Sequence, residues 1–143
     1  MTQILIVTAD FYPDISSEMV KGAAAALAAA DAGYEIISVP GAFEIPAAIR
    51  FALHNKQYDG FIALGCVIRG ETTHYDYVCG ESARGLMDLA LNHTAAVGFG
   101  ILTVENEEQA WVRADVKQGN KGKDAALAAL RMIELKRQFD VTT

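Results

Sequence analysis

Residues 69–77 read RGETTHYDY and place a tight turn, two hydroxyls and an imidazole in one short stretch. Gly70 lets the backbone turn sharply, and Thr72 and Thr73 offer hydroxyls where a helix could begin. His74 supplies a group that gives or takes a proton near neutral pH. The stretch follows an apolar run, FIALGCVI at 61–68, that reads as a buried parallel strand. In open α/β sheets ligands sit at the carboxyl ends of such strands, and the N–H groups of a following helix start favour an anion, phosphate foremost. The other strand ends also carry chemistry. Phe11-Tyr12-Pro13 follows the first, Gly41-Ala42-Phe43-Glu44 follows the second, and the fourth carries Phe99 and leads into Thr103-Val104-Glu105-Asn106. One crevice is therefore expected to collect an aromatic platform, a carboxylate, backbone amides, hydroxyls and an imidazole.

The elements that must position these groups alternate along the chain. Strands are predicted at 3–8, 34–39, 61–67 and 96–102. The first helix is predicted from Ser16 or Ser17 to Ala32, ended by Gly33, with an alanine-rich centre suited to close packing. A turn at 40–46 enters a second helix that ends near Asn55, Pro46 being tolerated in its first turn. Helices follow at 75–92, 107–114 and 122–139, the last with Leu127, Leu130 and Ile133 on one face. Successive β–α units with no linker between them predict one α/β domain over 1–143, a three-layer sandwich around a four-stranded parallel sheet.

Composition narrows the function. A hydrophobic share of 52% exceeds what a small monomer needs, which points to buried subunit contacts. The formal net charge of -6 argues against nucleic acid and anionic membranes as partners. The first residues have no basic start with a long apolar core, and no apolar run is long enough to span a bilayer. Cys66 and Cys79 form neither a CxxC nor a disulfide framework, which suits the reducing cytoplasm.

Plainer readings stand beside each candidate. Phe11 could plug the edge of the core, Glu44 could be a favourable charge at a helix start, and Arg113 a solvated charge at a helix end. Cys66 reads first as a small buried apolar group, and His54 and His93 as solvated or capping groups. Gly98-Phe99-Gly100 lacks the third glycine of a dinucleotide fingerprint and lies inside a strand. Residues 119–124, GNKGKD, imitate a P-loop ending, but the spacing is wrong and Asp124 stands where Ser or Thr is needed.

PGAFEIP at 40–46, GCVIRGETTHYDYV at 65–78, GILTVENEEQA at 100–110 and GNKG at 119–122 occur in an order that resembles the lumazine synthase family, over nearly the whole chain. The resemblance implies a flavodoxin-like fold and a transferase acting in the penultimate step of riboflavin biosynthesis. That step condenses 5-amino-6-(D-ribitylamino)uracil with 3,4-dihydroxy-2-butanone 4-phosphate and needs no cofactor and no metal. It makes Phe11 the aromatic that stacks on the pyrimidine, and Ala42, Phe43 and Glu44 the stretch that holds the ribityl chain and pyrimidine. Cys66, Val67 and Ile68 become the backbone that reads the uracil edge, Glu71 and Thr72 the phosphate cradle, and His74 the proton donor. Phe99 and Arg113 match contacts lent by a neighbouring subunit, Arg113 pairing with phosphate, and Lys121 a lysine near that phosphate.

The resemblance also implies a homo-oligomer with a pentamer as the minimum, extending to decameric or icosahedral assemblies, and admits riboflavin synthase as a partner. Tyr12 departs from the asparagine that many members carry, and the arm before the first strand is short. Three rival readings remain open: a flavin- or lumazine-binding protein of the same fold without catalysis, a cysteine hydrolase using Cys66 with His74, and a purely structural shell protein.

Overall fold

The computed structural model describes residues 1–55 and 57–142. The chain runs β1 (Gln3–Ala9), α1 (Pro13–Ala29), β2 (Gly33–Val39), α2 (Ile45–Ala52), β3 (Gly60–Ile68), α3 (His74–Asn92), β4 (Val97–Val104), α4 (Glu107–Ala114) and α5 (Lys121–Gln138). Short 3₁₀ turns at Ala42–Glu44 and Leu53–Asn55 flank α2. All strand pairs are parallel, in the order β2-β1-β3-β4.

The pleat sends alternate side chains of β1 to opposite faces. Ile4 and Ile6 join Met19, Leu27, Ala110, Ala126 and Ile133 in a core formed with α1, α4 and α5. Leu5 and Val7 join Ile45, Ile49, Val78, Leu86 and Leu89 in a second core formed with α2 and α3. The result is the expected three-layer α/β arrangement. The central strands β1 and β3 are buried almost throughout, while the edge strand β2 leaves Tyr34, Ile36 and Ile37 exposed.

Several boundaries differ from expectation, each for a local reason. α1 begins at Pro13, whose fixed φ suits a first helical position, so the serines at 16 and 17 lie inside it. It stops at Ala29, and Asp31, at φ 55, takes the left-handed role expected of a glycine. Gly33 instead opens β2, where a Cβ would meet the Gln3 side chain. α2 proper stops at Ala52, and the 3₁₀ turn at Leu53–Asn55 carries the helical path on to the predicted end at Asn55.

The face of α5 also differs. Leu127 is exposed, and the core is met by Ala125, Ala126, Ala129 and Ile133. The cause lies on β4. A Cβ at Gly98 would be driven into the Ala125 carbonyl, and one at Gly100 would lie 2.9 Å from the Ala125 Cβ. Only alanine fits between strand and helix at that separation. Gly122 repeats the device where α5 starts, abutting the Met19 backbone of α1. Two close contacts thus fix α5 against both β4 and α1.

Candidate active site

The sheet order changes direction at β1, which has β2 on one side and β3 on the other. A crevice opens at such a switch point, beyond the carboxyl ends of the strands. Here it is a cavity of about 540 Å³. Phe11 and Tyr12 enter it from the end of β1, residues 40–44 from the end of β2, and Cys66, Val67, Ile68, Gly70, Thr72 and His74 from β3 and the loop after it. Three strand ends therefore supply it. The end of β4 does not, against the expectation that all four would meet in one crevice.

Phe11 is 69% exposed, so it presents a ring face rather than plugging the core. Tyr12 meets it edge-on, with ring centroids 4.9 Å apart and planes at 73°. The half-buried Tyr12 occupies the position just before Pro13. Burial, then the nearby Cys66 and Glu107, raise its phenol pKa, so the hydroxyl stays neutral and able to donate. Ala42 is buried under the 3₁₀ turn, while Phe43 and Glu44 stand exposed at the mouth. Gly65 lets β3 lie close to the end of β1, since a Cβ there would be 3.1 Å from the Ala9 Cβ, while the turn itself stays at ordinary contact distance, 3.9 Å to the Ala42 Cβ.

Cys66 is buried, and burial pushes its thiol up to about 11. A buried thiol held neutral in this way is a poor nucleophile, which counts against the cysteine-hydrolase reading. Val67 and Ile68 are half-buried at the end of β3.

α3 begins without a side-chain cap on its Thr73 N-cap position. The His74 backbone N–H donates to Thr72 Oγ1 at 3.3 Å. Glu71, Thr72 and His74 are all exposed, and of these Glu71 does not line the cavity. Tyr75 does line it, a residue that sequence reasoning passed over although it lies within the 69–77 segment.

Phe99, Arg113 and Lys121 come together elsewhere. They line a separate hollow of about 440 Å³ between β4, α4 and the start of α5. Phe99 is 50% exposed although it sits mid-strand. Arg113 donates through one guanidinium nitrogen to the Gln109 carbonyl at 2.9 Å, and the Lys121 ammonium lies 3.4 Å from Asp124. The hollow thus holds two cations and an exposed ring. Among the described residues, no group of three or more His, Cys, Asp or Glu side chains is placed to hold a metal ion. No helix of the described residues is long and apolar enough to cross a membrane.

Known proteins match this chain closely. The family model for 6,7-dimethyl-8-ribityllumazine synthase matches residues 1–137. A protein of that name from Bartonella tribocorum is 59% identical over 95% of this chain and 91% of its own length. The 6,7-dimethyl-8-ribityllumazine synthase 1 of Rhizobium meliloti is 59% identical over 95% and 92%. The Agrobacterium fabrum protein is 54% identical over 95% of both chains. A parallel three-layer sheet, an aromatic and an imidazole at its switch point, and likeness over nearly the full length of these relatives agree: the chain belongs to the 6,7-dimethyl-8-ribityllumazine synthase family, the transferases of riboflavin biosynthesis.

Proposed function

We propose that the family's condensation takes place in the crevice between β1 and β3, completed by the Phe99–Arg113–Lys121 hollow of a second copy of the chain. The observation that carries this reading is the division of the chemistry. The crevice offers a platform for a heterocycle, a helix start and an imidazole, whereas the cations suited to a phosphate lie in another hollow. Neither set alone meets both substrates. Exposed Tyr77, Met87, Leu91 and Phe51 on α2 and α3 supply apolar surface for contact between copies. A homo-oligomer, with a ring of five as its smallest form, satisfies these demands.

In this site the uracil ring stacks on Phe11, with backbone at 66–68 facing its edge and residues 42–44 along the ribityl chain. The aromatic amine attacks the ketone, and loss of water gives an imine. Removal of the proton next to the imine carbon lets the electron pair expel phosphate from the neighbouring carbon. The resulting enol returns to a ketone, the ribityl-bearing nitrogen closes on it, and a second water leaves. Each stage moves a proton, and His74, exposed at the mouth, is the group that carries it. The departing phosphate is met by amides at 71–72 and by the guanidinium of Arg113, whose planar fork suits two phosphate oxygens. Lys121 adds a point charge.

Mixing purified protein with both substrates and following lumazine absorbance and fluorescence tests the reaction. Failure to form lumazine, with bound yellow ligand retained, would support the non-catalytic binder instead. Arg113→Ala tests the phosphate assignment: the KM for the phosphorylated substrate should rise at least about tenfold, and an unchanged KM would remove Arg113 from the site.

A further inference from the structure

The loop that carries the phosphate cradle and His74 has little to hold it. Residues 70–74 are exposed throughout, and a Cβ built on Gly70 meets nothing within 4 Å. Its restraint comes from the residue before it. The Arg69 backbone N–H donates to the Val104 carbonyl at 3.0 Å, and its Nε donates to Glu105 Oε1 at 2.8 Å. A terminal nitrogen lies 3.5 Å from Asp76 Oδ1, and the guanidinium carbon sits 4.3 Å from the Tyr75 ring centroid. Glu105 is itself fixed, its N–H donating to Gln109 Oε1 at 2.8 Å. One side chain therefore ties the first turn of α3 to the end of β4, closing the loop from both ends. Arg69 does not line the crevice.

We infer that Arg69 is a positioning residue, which clamps residues 70–74 between Glu105 and the Asp76–Tyr75 pair so that the loop amides and His74 meet the phosphorylated substrate. The inference rests on the proposed reaction for its kinetic form but not for its structural form. Exposed ion pairs add little to global stability, so the clamp acts on the loop rather than on the fold. A lysine lacks the planar fork and stacks poorly, so it replaces only part of the device.

The test uses Arg69→Met, Arg69→Lys and the double variant Asp76→Asn/Glu105→Gln. In Arg69→Met the KM for the phosphorylated substrate should rise about tenfold while that for the pyrimidine changes less than about twofold. The double variant should move the same KM in the same direction, and Arg69→Lys should fall between wild type and Arg69→Met. A general loss of structure would move both KM values together, and that result would overturn the inference. So would a normal KM in the double variant beside a raised one in Arg69→Met, since Arg69 would then touch the phosphate directly. Hydrogen–deuterium exchange of the amides at 70–74 is read on the same proteins without substrate. Exchange about tenfold faster in Arg69→Met and in the double variant is expected, and unchanged exchange refutes the clamp. If wild-type protein made no lumazine, the proposed reaction would fall while the exchange measurement still decided the clamp.

Discussion

The separation of the candidate residues into two hollows makes a quantitative prediction about mixed assemblies. Consider His74→Ala, which damages the crevice, and Arg113→Ala, which damages the other hollow. Both side chains are exposed and neither belongs to a core, so both variants should fold and assemble. If each site draws its imidazole from one protomer and its guanidinium from the next, refolding the two together in equal amounts creates intact sites. A site is intact when its crevice comes from the Arg113→Ala chain and its lent hollow from the His74→Ala chain. Each choice falls that way half the time, so about a quarter of sites recover full activity in a head-to-tail ring. With the phosphorylated substrate held well below its KM, lumazine formation in the mixture should then approach about a quarter of the wild-type rate, above the mean of the two variants alone, because the loss is roughly 10²-fold or more for His74→Ala and at least about tenfold for Arg113→Ala. The assay is the initial rate of lumazine fluorescence after co-refolding, with each variant refolded separately as control. A mixture no more active than the average of its components would show that each chain builds its own site, and would refute the shared arrangement.

Three further outcomes follow from the geometry. His74→Ala should slow turnover by about 10²–10⁴-fold yet leave activity well above the uncatalysed reaction, because holding two reactants together supplies about 7–11 kcal/mol independently of proton transfer; complete loss in a correctly assembled protein would reverse that ranking. Gly98→Ala should lower the melting temperature by roughly 5–10 °C, since its methyl would be forced against the Ala125 carbonyl and overpacking costs about 1–3 kcal/mol; an unchanged scan would mean that α5 gives way without cost. Because burial disfavours the Cys66 thiolate, alkylation at pH 8 should leave Cys66 unmodified and activity intact, with labelling accelerating only as the pH nears its value of about 11; rapid inactivation at pH 8 would contradict that placement.

Local pattern was enough to read the alternating elements, the buried run ending at Ile68 and the chemistry clustered after it. What it could not supply were facts that depend on distant partners. Gly98-Phe99-Gly100 was rightly set aside as a nucleotide motif, but its actual use depends on which helix returns to cover β4. The same return explains why Leu127 faces solvent: helical spacing selects a stripe, and the strand-to-helix distance then decides whether leucine or alanine fills it. Gly33 looked like a helix stop, yet Asp31 took the left-handed position because the chain had to turn before β2 could pair with β1. Of the residues expected to serve phosphate chemistry, Thr72 lines the crevice, Arg113 and Lys121 line the other hollow and Glu71 lines neither, a division that topology alone decides. Arg69 was in view from the outset, while its partner Glu105 lies 36 residues away.

The glycine contacts that seat α5 on β4 and α1 carry a mechanical consequence. Phe99 and Lys121 ride on elements locked backbone to backbone, so the main chain under that hollow behaves as a stiff anvil with little backbone entropy left to lose when a ligand arrives. The crevice, by contrast, is assembled from loop ends. Whatever breathing accompanies substrate entry and product escape must therefore be borne by those loops. Thermal motion should concentrate there, and ligands should quiet it on that side only.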